Sequence, residues 1–197
     1  MSMSIPTVTE TYGHAWQELK RCFLSLLGVT VAWSLVLGIG GRLPRGPVNL
    51  AWHSLVVGPV GIGALWAYLR VARGETPSLD DLLVAVRRNY LQAVLLSVLM
   101  GLVVGAGILL FVIPGVWAGL RLSWAPFLML DDHLGAVDAM SSSWNLTYGH
   151  GLRLFGIWSI AALLAILGAM LFLVGTIPAS MWSQVAVASY YVAIRGR

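Results

Sequence analysis

Four stretches of the chain are long, apolar and free of Asp, Glu, Lys and Arg: Phe23–Gly40, Leu50–Leu69, Leu91–Val112 and Leu154–Val174. A helix crossing a hydrocarbon core about 30 Å thick needs about 20 such residues, and in lipid only a helix or a closed barrel satisfies every backbone polar group. These runs predict transmembrane helices and exclude a soluble globule. Composition agrees, with 58% hydrophobic and 10% charged residues against about 45–50% and about 25% in ordinary soluble domains. At 197 residues the chain reads as a single membrane domain, 1–197, without room for a catalytic domain beside it.

Two shorter runs, Val116–Leu130 and Ile177–Ile194, follow Ile113-Pro114-Gly115 and Thr176-Ile177-Pro178, whose prolines end one helix and open the next. They read as return limbs of tight hairpins, giving an all-α bundle of six crossings. Lys20, Arg21, Arg70, Arg73, Arg87, Arg88, Arg153, Arg195 and Arg197 fall on one side and Arg42 and Arg45 on the other, which predicts that both termini are cytoplasmic. Met1 to Arg21 holds no apolar run and carries Glu10 and Glu18, so the first crossing is expected to be retained. The net charge of +4 is therefore a topology signal; its scattered basic residues make no phosphate footprint for nucleic acid.

Three segments between crossings have apolar residues at helical spacing and predict amphipathic helices lying along the membrane surface. Val8–Leu19 aligns Val8, Tyr12, Trp16 and Leu19, and Leu134–Tyr148 aligns Leu134, Val137, Met140, Trp144 and Tyr148 behind Asp131 and Asp132 as caps. Ser78–Tyr90 aligns Leu79, Leu82, Leu83, Val86 and Tyr90, with Ser78 and Asp81 spaced as a capping box. Leu82, Val86, Trp16 and Trp144 are expected at the acyl boundary or against the bundle, with Arg87 and Arg88 toward water or headgroups.

The segments also repeat. Ala15-Trp16, Leu24 and Gly28 match Ser143-Trp144, Leu152 and Gly156, and Ala67–Gly74 matches Ser189–Gly196 without a gap. A middle stretch has the same order of parts with weak identity, so the layout reads as three units of surface helix plus hairpin, 8–74, 78–130 and 134–196. All three start and end on one side, unlike the inverted repeats of many transporters.

The order Ile113-Pro114-Gly115-Val116-Trp117, Leu120-Arg121-Leu122-Ser123, Ala125-Pro126, Asp131-Asp132, Gly135, Ala139, Ser143-Trp144, Leu146-Thr147 and Gly149-His150 resembles uncharacterised bacterial membrane families. These are related to the membrane domain of glycerophosphoryl diester phosphodiesterases and include the YciC-like proteins. Arg73-Gly74-Glu75 with Leu79 and Leu82, and Tyr190-Tyr191, look like the same group. The likeness covers the layout from 8 to 196 and is specific from Ile113 to Gly156. It implies a six-helix protein of the bacterial inner membrane, and it brings no catalytic residues. Where relatives often look basic before the Ser-Trp pair, this chain has Ser141-Ser142-Ser143.

Arg121 is the sharpest single residue. It lies six positions past the Ile113-Pro114-Gly115 turn, about 9 Å down a helix, where an arginine must be paired, turned inward or snorkelling. No acid lies in any predicted span, so carbonyls, Ser123, tryptophans, water, a lipid headgroup or another subunit are its candidate partners. With Trp117, Trp124 and His53 it forms the candidate set for contact with lipid or a partner chain. Gly101 with Gly105, and Ala161 with Ala165, are small-residue pairs that let helices approach closely. Gly58-Pro59-Val60-Gly61-Ile62-Gly63 reads as a kink with close helix contact, because it lies within a span and lacks the lysine of a phosphate loop. Asn145-Leu146-Thr147 is a sequon on the cytoplasmic side.

Reactive groups are sparse. Cys22 stands alone, which rules out an intrachain disulfide. His14, His133 and His150 are dispersed, and Asp131, Asp132 and His133 are adjacent and diverge on a helix, so no metal or cofactor is expected. Ser141 to Ser143 has no recognisable base. The reading is a non-catalytic multi-pass protein, an accessory subunit or scaffold of a larger membrane complex, in contact with membrane lipids and with other membrane chains or its own copies. The alternative is a lipid-handling or small-solute transport protein.

Overall fold

The computed structural model describes residues 7–148, 151–170 and 176–195. Those residues are all-helical: α1 (Val8–Arg21), α2 (Phe23–Arg42), α3 (Pro47–Trp52), α4 (Gly58–Ala72), α5 (Val84–Leu110), α6 (Val112–Leu122), α7 (Ala125–Asp131), α8 (Ala136–Leu146), α9 (Gly151–Met170) and α10 (Thr176–Arg195). A π-turn, His53–Val57, joins α3 to α4, and a 3-10 turn, Leu79–Leu83, leads into α5. Phe23–Arg42, Pro47–Ala72 and Leu79–Leu110 are each long and apolar enough to cross a membrane, and a fourth crossing results if the pair Ala136–Leu146 and Gly151–Ile166 counts as one broken span. The end of the expected span Leu154–Val174, with Gly149, His150, Gly196 and Arg197, lies outside the described residues.

Contacts divide the chain into two compact units, one made of Met1–Val31, Ala67–Leu79 and Leu152–Arg197, the other of Ala32–Trp66 and Asp80–Gly151. These boundaries differ from those of the expected repeats, since the stretch 8–74 contributes to both units.

In the first unit α1 forms as its sequence dictates. Thr7 accepts from the Glu10 amide while the Glu10 carboxylate accepts from the Thr7 amide, closing a capping box. Tyr12, Ala15 and Leu19 are buried along one face. Tyr12 donates to the Ile157 carbonyl of α9 at 2.8 Å, and the Trp182 indole of α10 donates to the Tyr12 carbonyl at 3.0 Å. The Trp182 ring also meets Tyr12 edge-on at 5.6 Å and Trp16 at 5.0 Å, each pair contributing about 0.5–1.5 kcal/mol beyond area burial. Between α2 and α4, the Thr30 hydroxyl donates to its own helix at Leu26, so the Tyr68 hydroxyl 2.9 Å away is the donor to Thr30. Two buried hydroxyls are thereby satisfied. Gly74, at φ +80°, ends α4 with bonds from Gly74 N to Val71 O and from Glu75 N to Arg70 O, a Schellman closure that glycine adopts at low cost.

The second unit is organised by glycine, proline and a few side-chain bonds. Pro59 has no N–H to offer the Leu55 carbonyl, and the π-turn before it widens the helix. The freed carbonyls are taken by α5: Tyr90 donates to Leu55 at 2.9 Å and Ser97 to Ser54 at 3.4 Å. A Cβ on Gly63 would overlap the backbone of Asp81 and Leu82, so glycine admits the 3-10 turn against α4. The expected close helix contact is therefore present at Gly58 to Gly63, directly after the π-turn. Asn89, at φ −157° and ψ 59°, interrupts the helical dihedrals of α5. The break stands next to Tyr90, the expected boundary between surface helix and span.

Several local expectations are corrected. Ser78–Tyr90 is not one α-helix, because it opens as the 3-10 turn, in which Asp81 is buried. The return limb Val116–Leu130 is two helices. Pro126 cannot bond to Leu122, the chain turns at Ser123 and Trp124, and α7 begins afresh with proline in its first turn. At 1.5 Å per residue, α6 and α7 rise about 16 Å and about 10 Å. Nor do Asp131 and Asp132 cap α8: its first amide, Ala136 N, donates to the Gln92 side chain of α5 at 2.8 Å.

Candidate lipid or partner contact site

Arg121 occupies the last turn of α6, where the helix dipole favours a cation. Its own carbonyl accepts a 2.6 Å bond from Ser143 of α8, which holds the two helices together at this point. Three aromatic rings surround the guanidinium: Trp144 at 4.6 Å, with Trp117 and Tyr148 each at 5.5 Å. The pattern has a simple origin. Trp117 and Arg121 are four apart on α6, and Trp144 and Tyr148 four apart along α8 and its C-terminal turn, so each pair shares a face.

Each ring contact contributes about 0.5–2 kcal/mol. The rings therefore offset part of the cost of holding the charge beside apolar side chains. They accept no in-plane N–H, however. The Arg121 Nε is buried without an acceptor, and no carboxylate pairs with the side chain among the described residues. Trp117, Trp144 and Tyr148 are themselves 38%, 40% and 73% exposed, so the cluster lies at the surface of its unit.

The remaining candidates are distributed differently. Trp124 is fully buried, which removes it as a lipid contact. His53 stands in the π-turn with its Nδ1 at 3.0 Å from the Asn49 carbonyl, beside Gly40, and no contact joins it to Arg121 among the described residues. Among the described residues no atom beyond their own helix backbone lies within 4 Å of the Cβ position of Gly101 or Gly105, while Ala161 is partly exposed and Ala165 exposed. The glycines that bring helices together are others: a Cβ on Gly107 would lie 2.7 Å from the Gly115 Cα, so these two close the α5–α6 hairpin across Phe111. Of the surface-helix positions, Leu82 is buried, Val86 partly buried, and Trp16 and Trp144 exposed.

Protein families, characterised proteins and solved structures were compared with the chain, and none matches it. The functional reading thus rests on the chain's own geometry.

Tyr148, Ser143 and Gln92 are the residues of this region that sequence reasoning assigned no role in the site. The four-residue spacing of Trp144 and Tyr148, repeated in Trp117 and Arg121, is the signal that points to the first. Nothing local marks Gln92, whose partner lies in a different helix.

Proposed function

We propose that the chain is a non-catalytic multi-pass protein of the bacterial inner membrane that acts through contacts in the bilayer, as an accessory subunit or scaffold. In this reading six crossings arise from three repeats of surface helix plus hairpin: α2 with α4, the span of α5 with the broken limb α6–α7, and α9 with α10. The carrying observation is the Gly101–Gly105 face of α5, where, among the described residues, no atom beyond the helix's own backbone lies within 4 Å of either Cβ position. Small residues at that spacing support close helix approach in lipid, and Leu102, Leu109 and Leu110 extend an exposed apolar surface along the same helix.

The test is Gly101→Leu. Because the position is open, the substitution leaves folding near normal while it weakens association with a partner chain or a second copy. Native mass spectrometry of the unaltered protein as an unaccompanied monomer refutes the proposal. A second reading, lipid handling or small-solute transport, is favoured by Arg121, whose guanidinium has no acid beside it.

A further inference from the structure

We infer that the Arg121 cluster is a recognition site for a phosphate oxyanion, and that the phosphate is that of a phospholipid headgroup. The inference deepens the lipid-handling reading and rests on it. A guanidinium carries five N–H donors in a planar fork that matches two oxygens of a phosphate. Among the described residues, which include all eight Asp and Glu side chains, no carboxylate pairs with Arg121, and its Nε is buried without an acceptor. A charged donor in that state is costly, and the described residues supply no acceptor for it.

The surroundings select the class of ligand. Trp117, Trp144 and Tyr148 combine apolar faces with polar edges, the side chains that concentrate at headgroup level in membranes. Arg121 lies in the last turn of its helix and is bonded through its carbonyl to Ser143 of α8, a helix with buried Ala136, Ala139 and Ser143 on one side and exposed Val137 and Trp144 on the other. A lipid offers both parts of the match, a phosphate for the fork and glycerol with the first acyl carbons for the rings. A free phosphate offers only the first.

The test uses the full chain, stripped of lipid in detergent and titrated with phosphatidylglycerol, with bound lipids counted per chain by native mass spectrometry. Arg121→Gln is expected to bind one phosphatidylglycerol about tenfold more weakly, the effect of losing a charged hydrogen-bond pair. Arg121→Lys falls between, because an ammonium keeps the charge and loses the fork. Release of that lipid by 10 mM sodium phosphate would keep the oxyanion site and move its source to solution. Equal lipid affinity in wild type and Arg121→Gln overturns the inference, as does loss of a co-purifying polypeptide at unchanged lipid count, which would assign the fork to a protein carboxylate. Should Arg121→Gln fail to fold, Arg121→Lys decides, and wild-type affinity in that variant overturns the proposal. A wild-type protein that holds no defined phospholipid refutes the lipid-handling reading itself, a result distinct from idle Arg121 variants.

Discussion

Gly63 and Gly101 lie in apolar helices and look alike as letters, yet their surroundings differ. At Gly63 the backbone of Asp81 and Leu82 occupies the space of a methyl group, whereas at Gly101 no described atom beyond its own helix backbone lies within 4 Å. Gly63→Ala is therefore expected to lower stability by about 1–3 kcal/mol, the usual cost of forcing atoms into a packed contact. Gly101→Ala is expected to be neutral or to gain up to about 1 kcal/mol of helix propensity. Thermal unfolding in one detergent compares them, and equal midpoints would contradict the contact. Tyr12 gives a pH test, because burial pushes its hydroxyl up from 10.0 to about 12, opposed by the Ser183 hydroxyl. The protonated form is the one the fold holds, so its contribution is complete below about pH 10 and is lost as pH rises through about 12. Ultraviolet titration of tyrosinate should lose one equivalent of its late-ionising part in Tyr12→Phe; an unchanged late part would refute the assignment.

Among the elements, α8 is the clearest case of a helix whose start is fixed from elsewhere. Its N-cap, Gly135, has no side chain to offer, and the Ala136 amide is satisfied by Gln92 at 2.8 Å. Gln92→Ala removes that acceptor and should cost about 1 kcal/mol, in line with loss of a helix cap. Hydrogen exchange should then quicken at Ala136 relative to the α8 interior. Unchanged protection at Ala136 would mean that the bond contributes nothing in solution. The same helix presents Trp144 to Arg121 and bonds Ser143 to its carbonyl, so the cap also bears on the cluster. Positions a turn apart announce that cluster in the sequence, while the Gln92 bond spans 44 positions and leaves no local trace.

For the molecule as a whole, the charge asymmetry predicts that both termini and the segments around Ser78 and Leu134 are cytoplasmic. Cysteines introduced one at a time at Ser78, Leu134 and Arg45 in a Cys22→Ala background test this with a membrane-impermeant reagent. Only the Arg45 position should label from outside intact cells. Labelling at Ser78 without labelling at Arg45 would reverse the orientation.

The sequence alone determined the all-helical character and the long apolar stretches, because hydropathy and proline act over a few neighbouring residues. It also brought Trp117 into register with Arg121. Tertiary structure decided what distant segments share: that Trp124 is interior, that Gly107 and Gly115 close a hairpin while Gly101 stays open, that Pro126 divides a limb whose composition reads as continuous, and that Gln92 caps α8. The physical reason is that apolar residues in a membrane chain carry little sign of which face meets protein and which meets lipid. Both environments are apolar, and packing alone distinguishes them.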